Sequence, residues 1–260
     1  MKKAIDLILF YIKMNFQVAL TYRANVLFSL VASLSYFITL ILPLKFIFRY
    51  IPSLHGYSYE QFFLIFMLSE VWWYSNVVLI RTNFKFIADL INRGNLDFYL
   101  LKPYRLKLFI PVLQLDSRMF FSLIMGLSIL FYYTTRSFDF GWIRIIGAVL
   151  FFLNGIAIMY FFTAIFTYLN FWVGRNNSIF DITFEFPELV KIPLDFFPFV
   201  LKGAFIFIMP VILMVNPAFM ILLNRIDYSI LAISIIMSLL LFIVSEILWK
   251  NGLKRYTSAN

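Results

Sequence analysis

From Ser229 to Trp249 the chain reads SILAISIIMSLLLFIVSEILW, with Glu246 as its one charged residue. About 20 apolar residues at 1.5 Å rise per residue cover the hydrocarbon core of a bilayer, so this stretch predicts a membrane-spanning helix. Outward from it the same reading applies to five more runs: Asn25 to Phe48, Phe62 to Ile80, Pro111 to Thr134, Trp142 to Trp172 and Phe197 to Val215. The expectation is an all-α membrane protein with six transmembrane helices in a single domain over residues 1–260.

Composition supports this class. Hydrophobic residues make up 63% of the 260 positions and charged residues 13%, against about 45–50% and about 25% in soluble domains. Mean hydropathy is +0.90, more apolar surface than a soluble core can hide. Residues 1–24 differ: Ile5, Ile8, Leu9, Ile12 and Phe16 share one helical face, and Lys2, Asp6, Lys13 and Gln17 lie largely elsewhere. That pattern predicts an amphipathic helix in the interface rather than a cleaved leader, since no small-residue cleavage site follows.

The six-span arrangement sorts the 22 Lys and Arg unequally. Seventeen fall on the side of both termini, among them Lys2, Lys3, Arg81, Lys85, Arg93, Lys102, Lys107, Lys191, Lys202, Lys254 and Arg255; Lys45, Arg49, Arg136, Arg144 and Arg225 fall on the other. The positive-inside rule assigns the richer side, and both termini, to the cytoplasm. The net charge of +9 is scattered beside apolar runs, so it reads as anchoring to membrane lipid and not as a nucleic-acid surface.

The largest connection on that side, 81–110, is patterned. Phe84, Ile87 and Ile91 alternate with Lys85, Asp89, Asn92 and Arg93 at helical spacing, Gly94 stands at a helix C-cap position, and Asp97 heads one short turn that Pro103 ends. Two readings stay open from these residues alone: a compact cytoplasmic knob, or a loop that returns the chain to the membrane. A second stretch, Asp181 to Met209, carries Pro187, Pro193 and Pro198 and four acids, so its helix must break. It is predicted either at the cytoplasmic interface or buried against other helices.

Chemistry is constrained by what is missing. There is no cysteine, one histidine (His55, beside Gly56 in an outer turn), no phosphate-binding GxxxxGK[ST] run, no HExxH and no GxSxG. No catalytic residue and no metal ligand set is therefore expected, and no cofactor bound by this chain. Two polar residues midway along predicted spans stand out as candidates: Glu70, and Asn154 beside Gly155. Each reads as a pathway residue or as a helix-packing point, with packing the preferred reading.

Four segments resemble permease subunits of ABC-2-type transporters: Tyr22-Arg23-Ala24-Asn25, Asn92-Arg93-Gly94-Asn95-Leu96-Asp97-Phe98-Tyr99-Leu100-Leu101-Lys102-Pro103, Pro210 with Asn216-Pro217-Ala218, and Gly252-Leu253-Lys254-Arg255-Tyr256. The similarity is to the small six-span branch without a fused ATPase. It implies a transport subunit, not an enzyme, in the cell membrane, forming half of an export pathway for an amphiphilic substrate. It implies as partners a second permease, identical or related, and separate cytoplasmic ABC ATPase subunits that hold the ATP and Mg. It also makes 81–110 a coupling loop with a cytoplasmic coupling helix, and points to Arg93, Gly94, Leu96, Asp97, Leu100, Lys102 and Pro103 as ATPase contacts. The alternatives are a non-transporting membrane scaffold or assembly protein, and an ion-coupled carrier using Glu70.

Overall fold

A computed structural model describes residues 2–21, 23–102, 106–174 and 186–256. Within them the chain is helical, and the one backbone pairing outside helices is a Leu54–Tyr57 bridge. Helix α1 (Lys2–Thr21) leads into α2 (Arg23–Tyr50). Helix α3 (Tyr59–Asn76) continues without a break through a π turn (Val77–Arg81) into α4 (Thr82–Asn92). Short helices α5 (Asp97–Leu100) and α6 (Leu106–Leu113) precede α7 (Ser117–Ser137) and α8 (Trp142–Tyr168), which one residue separates from α9 (Asn170–Val173). Two 3-10 turns (Phe186–Lys191, Leu194–Phe196), α10 (Phe199–Phe207), α11 (Ile212–Leu222) and α12 (Tyr228–Arg255) complete the described chain.

Five helices among the described residues are long and apolar enough to cross a membrane: Ala24–Tyr50, Tyr59–Asn92, Met119–Ser137, Trp142–Val173 and Tyr228–Arg255. Helix α3 is the axis of the bundle. Its most apolar stretch is 83% buried, against 11% for α2 and for α7, whose Leu27, Phe28, Leu42, Phe46 and Phe131 side chains stay exposed. Side chains such as these need an apolar surrounding. Trp72 is fully buried inside the bundle, away from any aromatic belt.

The helices meet at small and polar residues, as expected where the surrounding solvent is as apolar as leucine. Ser33 of α2 and Ser122 of α7 share a hydrogen bond of 2.6 Å. Gly155 lets α8 close on α11, where a Cβ would overlap the Met214 carbonyl. The neighbouring Asn154 donates to the carbonyl and hydroxyl of Ser234 on α12, at 3.3 and 3.4 Å. Asn154 is thus a packing contact between two helices.

Two predicted segments take a different course. Residues 197–215 do not form one straight helix: α10 and α11 meet at 111° around Pro210, which lacks the N–H an unbroken helix requires, and counted as one bent span the pair makes a sixth. Residues 186–197 pack on α3 and α11, with Val190, Leu194 and Phe197 buried. Their carbonyls and N–H groups find side-chain partners, since Ser69 donates to the Val190 carbonyl (3.2 Å) and the Asn216 side-chain oxygen accepts from the Leu194 N–H (2.8 Å). This is the buried alternative for that stretch. Residues 175–185, with Asp181 and Glu185, lie outside the described residues.

The bundle has two distinct ends. At one, Tyr256 accepts from the Leu96 N–H (2.9 Å) and the Lys102 ammonium reaches the Tyr11 hydroxyl (3.4 Å), so the N-terminal helix, the 93–102 segment and the last helix converge. At the other, a tight turn places His55 and Gly56 at φ of +50° and +77°. There Arg225 donates to the Gly56 carbonyl (3.0 Å) and Tyr57 donates to Asp195 (2.5 Å). Burial and the Asp195 carboxylate together push the Tyr57 phenol up to about 12.

Candidate functional site

Three features merit description as sites: the 93–102 knob, the joint beneath α1, and a buried ion pair. The knob is built by its own backbone. Helix α4 keeps the amphipathic pattern seen in the sequence, burying Phe84, Ile87, Ala88 and Ile91. It ends with the Gly94 N–H bonded to the Ile91 carbonyl (3.2 Å) and the Asn95 N–H to the Leu90 carbonyl (2.9 Å), the paired closure of a Schellman cap. Gly94 has φ +67°, a conformation that costs a residue with a Cβ about 1–2 kcal/mol. The cap reverses the chain so that Leu96 is fully buried.

Beyond Leu96 the α5 turn stands off the bundle. Tyr99 packs edge-on against Phe86 (5.5 Å) and lies beneath the Lys102 ammonium (4.5 Å). Phe98 and Leu101 are 71% and 85% exposed. Arg93 and Leu100 are exposed, Gly94, Asp97 and Lys102 are half-buried, and Pro103 lies outside the described residues. Arg93, Asp97, Leu100 and Lys102 thus keep solvent-accessible surface, whereas Leu96 is withdrawn into the core. Phe98 and Leu101 are exposed apolar residues that sequence reasoning passed over. The signal was present: one large apolar side chain within and one just after a four-residue helical turn too short to bury both.

The knob is braced from behind. Asn92 donates to the Asn170 side chain (3.4 Å). Tyr256 and Trp249 of the last helix both pack on Phe171, which lies so close to Gly252 that a Cβ there would overlap its ring. Lys107 pairs with Glu246 at 2.6 Å. At the joint below α1, the Asn83 side chain accepts from the Gln114 N–H (2.7 Å) and donates to the Pro111 carbonyl (3.2 Å). Asn15 similarly donates to the Val112 carbonyl (3.4 Å) and accepts from the Leu115 N–H (3.3 Å). Two asparagines thus satisfy the open end of α6, where the predicted span 111–134 breaks before α7 begins.

The ion pair lies deep in the bundle. Glu70, 1% exposed, is 2.7 Å from the Lys191 ammonium, and the Tyr36 hydroxyl bridges them, donating to Glu70 (3.3 Å) and accepting from Lys191 (3.0 Å). Three elements, α2, α3 and the first 3-10 turn, meet there. Lys191 was expected on the basic surface; it is instead the counter-charge that makes Glu70 tolerable inside.

A family model described as ABC-2 family transporter protein matches residues 34–260. Comparison with curated proteins and with solved structures gives no match. The match takes in the knob, the ion pair and the bent pair α10–α11, and begins partway along α2. A bundle of helices long and apolar enough to cross a membrane is what a transport component of this kind requires, and the chain belongs to the ABC-2 transporter family as a membrane permease.

Proposed function

We propose that this chain is the permease half of an ATP-driven exporter whose ATPase is a separate cytoplasmic subunit docking on the 93–102 knob. The observation that carries this reading is the placement of Phe98 and Leu101, exposed on a capped, braced turn at the end of the most buried helix. An apolar pair with Arg93 and Lys102 beside it matches the make-up of interface anchors, where aromatic residues and arginine are enriched. Because α4 continues α3, a load on the knob is delivered to the core rather than absorbed in a loop.

The termini and the knob are assigned to the cytoplasm, which the charge imbalance supports. The extensive exposed apolar faces of α2 and α7 suit lipid and a second permease, identical or related, forming the other half of the pathway. ATP and Mg belong to the partner ATPase. An amphiphile is the substrate class favoured by a pathway with aromatic and aliphatic walls.

The test is co-purification from membranes with a nucleotide-hydrolysing subunit, followed by ATP turnover. Phe98→Asp with Leu101→Asp is expected to abolish both association and stimulated turnover while the melting temperature of the permease holds. Retained association would place the docking surface elsewhere, and a chain that purifies without any ATPase would favour the scaffold reading. The ion-coupled reading is disfavoured by Lys191, whose ammonium already pairs with Glu70 at 2.7 Å; it requires Glu70→Gln to stop transport and leave ATPase association intact.

A further inference from the structure

A cavity of about 410 Å³ opens beneath α1, bounded by α1, α4, α5 and the α6–α7 joint. Its polar lining consists of Tyr11, Asn15, Thr82, Tyr99 and Gln114, and its apolar walls include Met14, Phe86 and Leu113. No carboxylate is among the lining residues. Asp116, just beyond, is turned to the N-terminus of α7, where it accepts from the Met119 N–H (3.4 Å). At the mouth stands Lys102, its ammonium 3.4 Å from the Tyr11 hydroxyl and 4.5 Å from the centre of the Tyr99 ring.

Asn15 spends its amide on the Tyr11 and Val112 carbonyls, which leaves the Tyr11, Thr82 and Tyr99 hydroxyls and the Gln114 amide around a cation, with no carboxylate among the described lining residues, a donor set suited to a phosphate group. The source of that phosphate follows from the walls. Met14 both lines the cavity and is exposed on α1, where Leu9 and Phe10 are exposed as well. An apolar surface thus leads out of the cavity along an amphipathic helix of the kind that lies at headgroup depth. A soluble anion would have no use for it, whereas acyl chains would.

We propose that this cavity binds the phosphate headgroup of an anionic membrane phospholipid, with its acyl chains leaving past Met14. Lipid held there would join α1 to the knob, because Tyr11 and Tyr99 line the same space. It would also fill the gap that the two asparagine bridges, Asn15 and Asn83, leave open beneath the interfacial helix. The site shares Tyr99 and Lys102 with the knob, but lipid binding there does not rest on an ATPase docking, and its readout is retained lipid.

The experiment uses the full chain, delipidated in detergent and then exchanged against phosphatidylglycerol or phosphatidylcholine, with retained lipid read by native mass spectrometry. Phosphatidylglycerol is expected to be retained about five-fold over phosphatidylcholine, the ratio one lysine supplies near anionic lipid. Lys102→Gln with Gln114→Leu should bring the two lipids level, and Arg136→Gln at the opposite end should change nothing. Equal retention by the unmodified protein overturns the proposal, as does displacement of the lipid by millimolar inorganic phosphate, which would mark the site as one for a free anion. As a check that does not depend on the variants folding, a photoactivatable phosphatidylglycerol should crosslink to peptides containing Met14 or Gln114. Labelling confined to the exposed faces of α2 and α7 also overturns it.

Discussion

Glu70 shows how a single side chain is read differently with and without its neighbours. In sequence it is an isolated carboxylate among Leu, Ile and Trp; in space it shares an ion pair with Lys191 and Tyr36. Lys191 is separated from it by two predicted spans, and nothing in the local pattern of either residue announces the other. Removing one partner of a buried pair leaves an uncompensated charge, so Glu70→Leu or Lys191→Met alone should cost about 3–5 kcal/mol, whereas the double substitution should recover most of that loss. Thermal unfolding of the four proteins in detergent completes the cycle, and additive losses would show that the two residues do not act as a pair. Asn154 and Gly155 were the more legible case, because a glycine beside an amide within an apolar run signals close helix approach by itself. Gly155→Ala should cost about 1–3 kcal/mol through overpacking against Met214. Gly203→Ala, where a Cβ meets nothing within 4 Å, should be neutral or raise stability by up to about 1 kcal/mol.

Helix ends carry the next set of consequences. Asp227 caps α12 by accepting from the Ser229 and Ile230 N–H groups at 2.9 and 3.4 Å, and the Ser229 hydroxyl bond holds its carboxyl below the usual aspartate value. A carboxyl depressed in the folded state stabilises it above the unfolded pKa and loses that contribution as pH falls through the folded value. Asp227→Ala should therefore cost about 1 kcal/mol at neutral pH, and the gap in melting temperature from wild type should close on acidification below about pH 4. A gap that persists there would deny the cap its ionic part. Element boundaries were read well where composition alone decides, as for α2, α8 and α12. They were missed where a partner decides. The second run was expected to end at Ile80, yet the helix continues to Asn92 because Phe84, Ile87 and Ile91 find a buried surface. The third starts late because Asn15 and Asn83 supply bonds that let the chain break at Gln114. Proline marked the fifth as irregular, but only packing against α3 and α11 shows that 186–197 is interior.

At the scale of the whole molecule, class was legible because it is a sum: hydropathy over about 20 residues survives an individual misplacement such as that of Lys191. The capped turn of the proposed docking surface was legible in sequence, but not which of its side chains are exposed, since burial of Leu96 and exposure of Phe98 and Leu101 depend on how the Gly94 cap turns the chain. Gly94→Ala is expected to leave the bundle folded, with a loss of about 1–2 kcal/mol, and to weaken ATPase association more than it lowers the melting temperature. A proportional loss of both would assign Gly94 to stability alone. The π turn at Val77–Arg81 adds a last consequence. A π turn accommodates one extra residue in a helix, so here it works as a phase correction between the core-facing and knob-bearing halves of one rod. Excising a single residue within 77–81 should restore a plain α-helix and leave the knob aimed as before. Excising one from 82–92 should swing the knob by about 100° around the axis, leaving a transporter that is assembled, folded and out of gear.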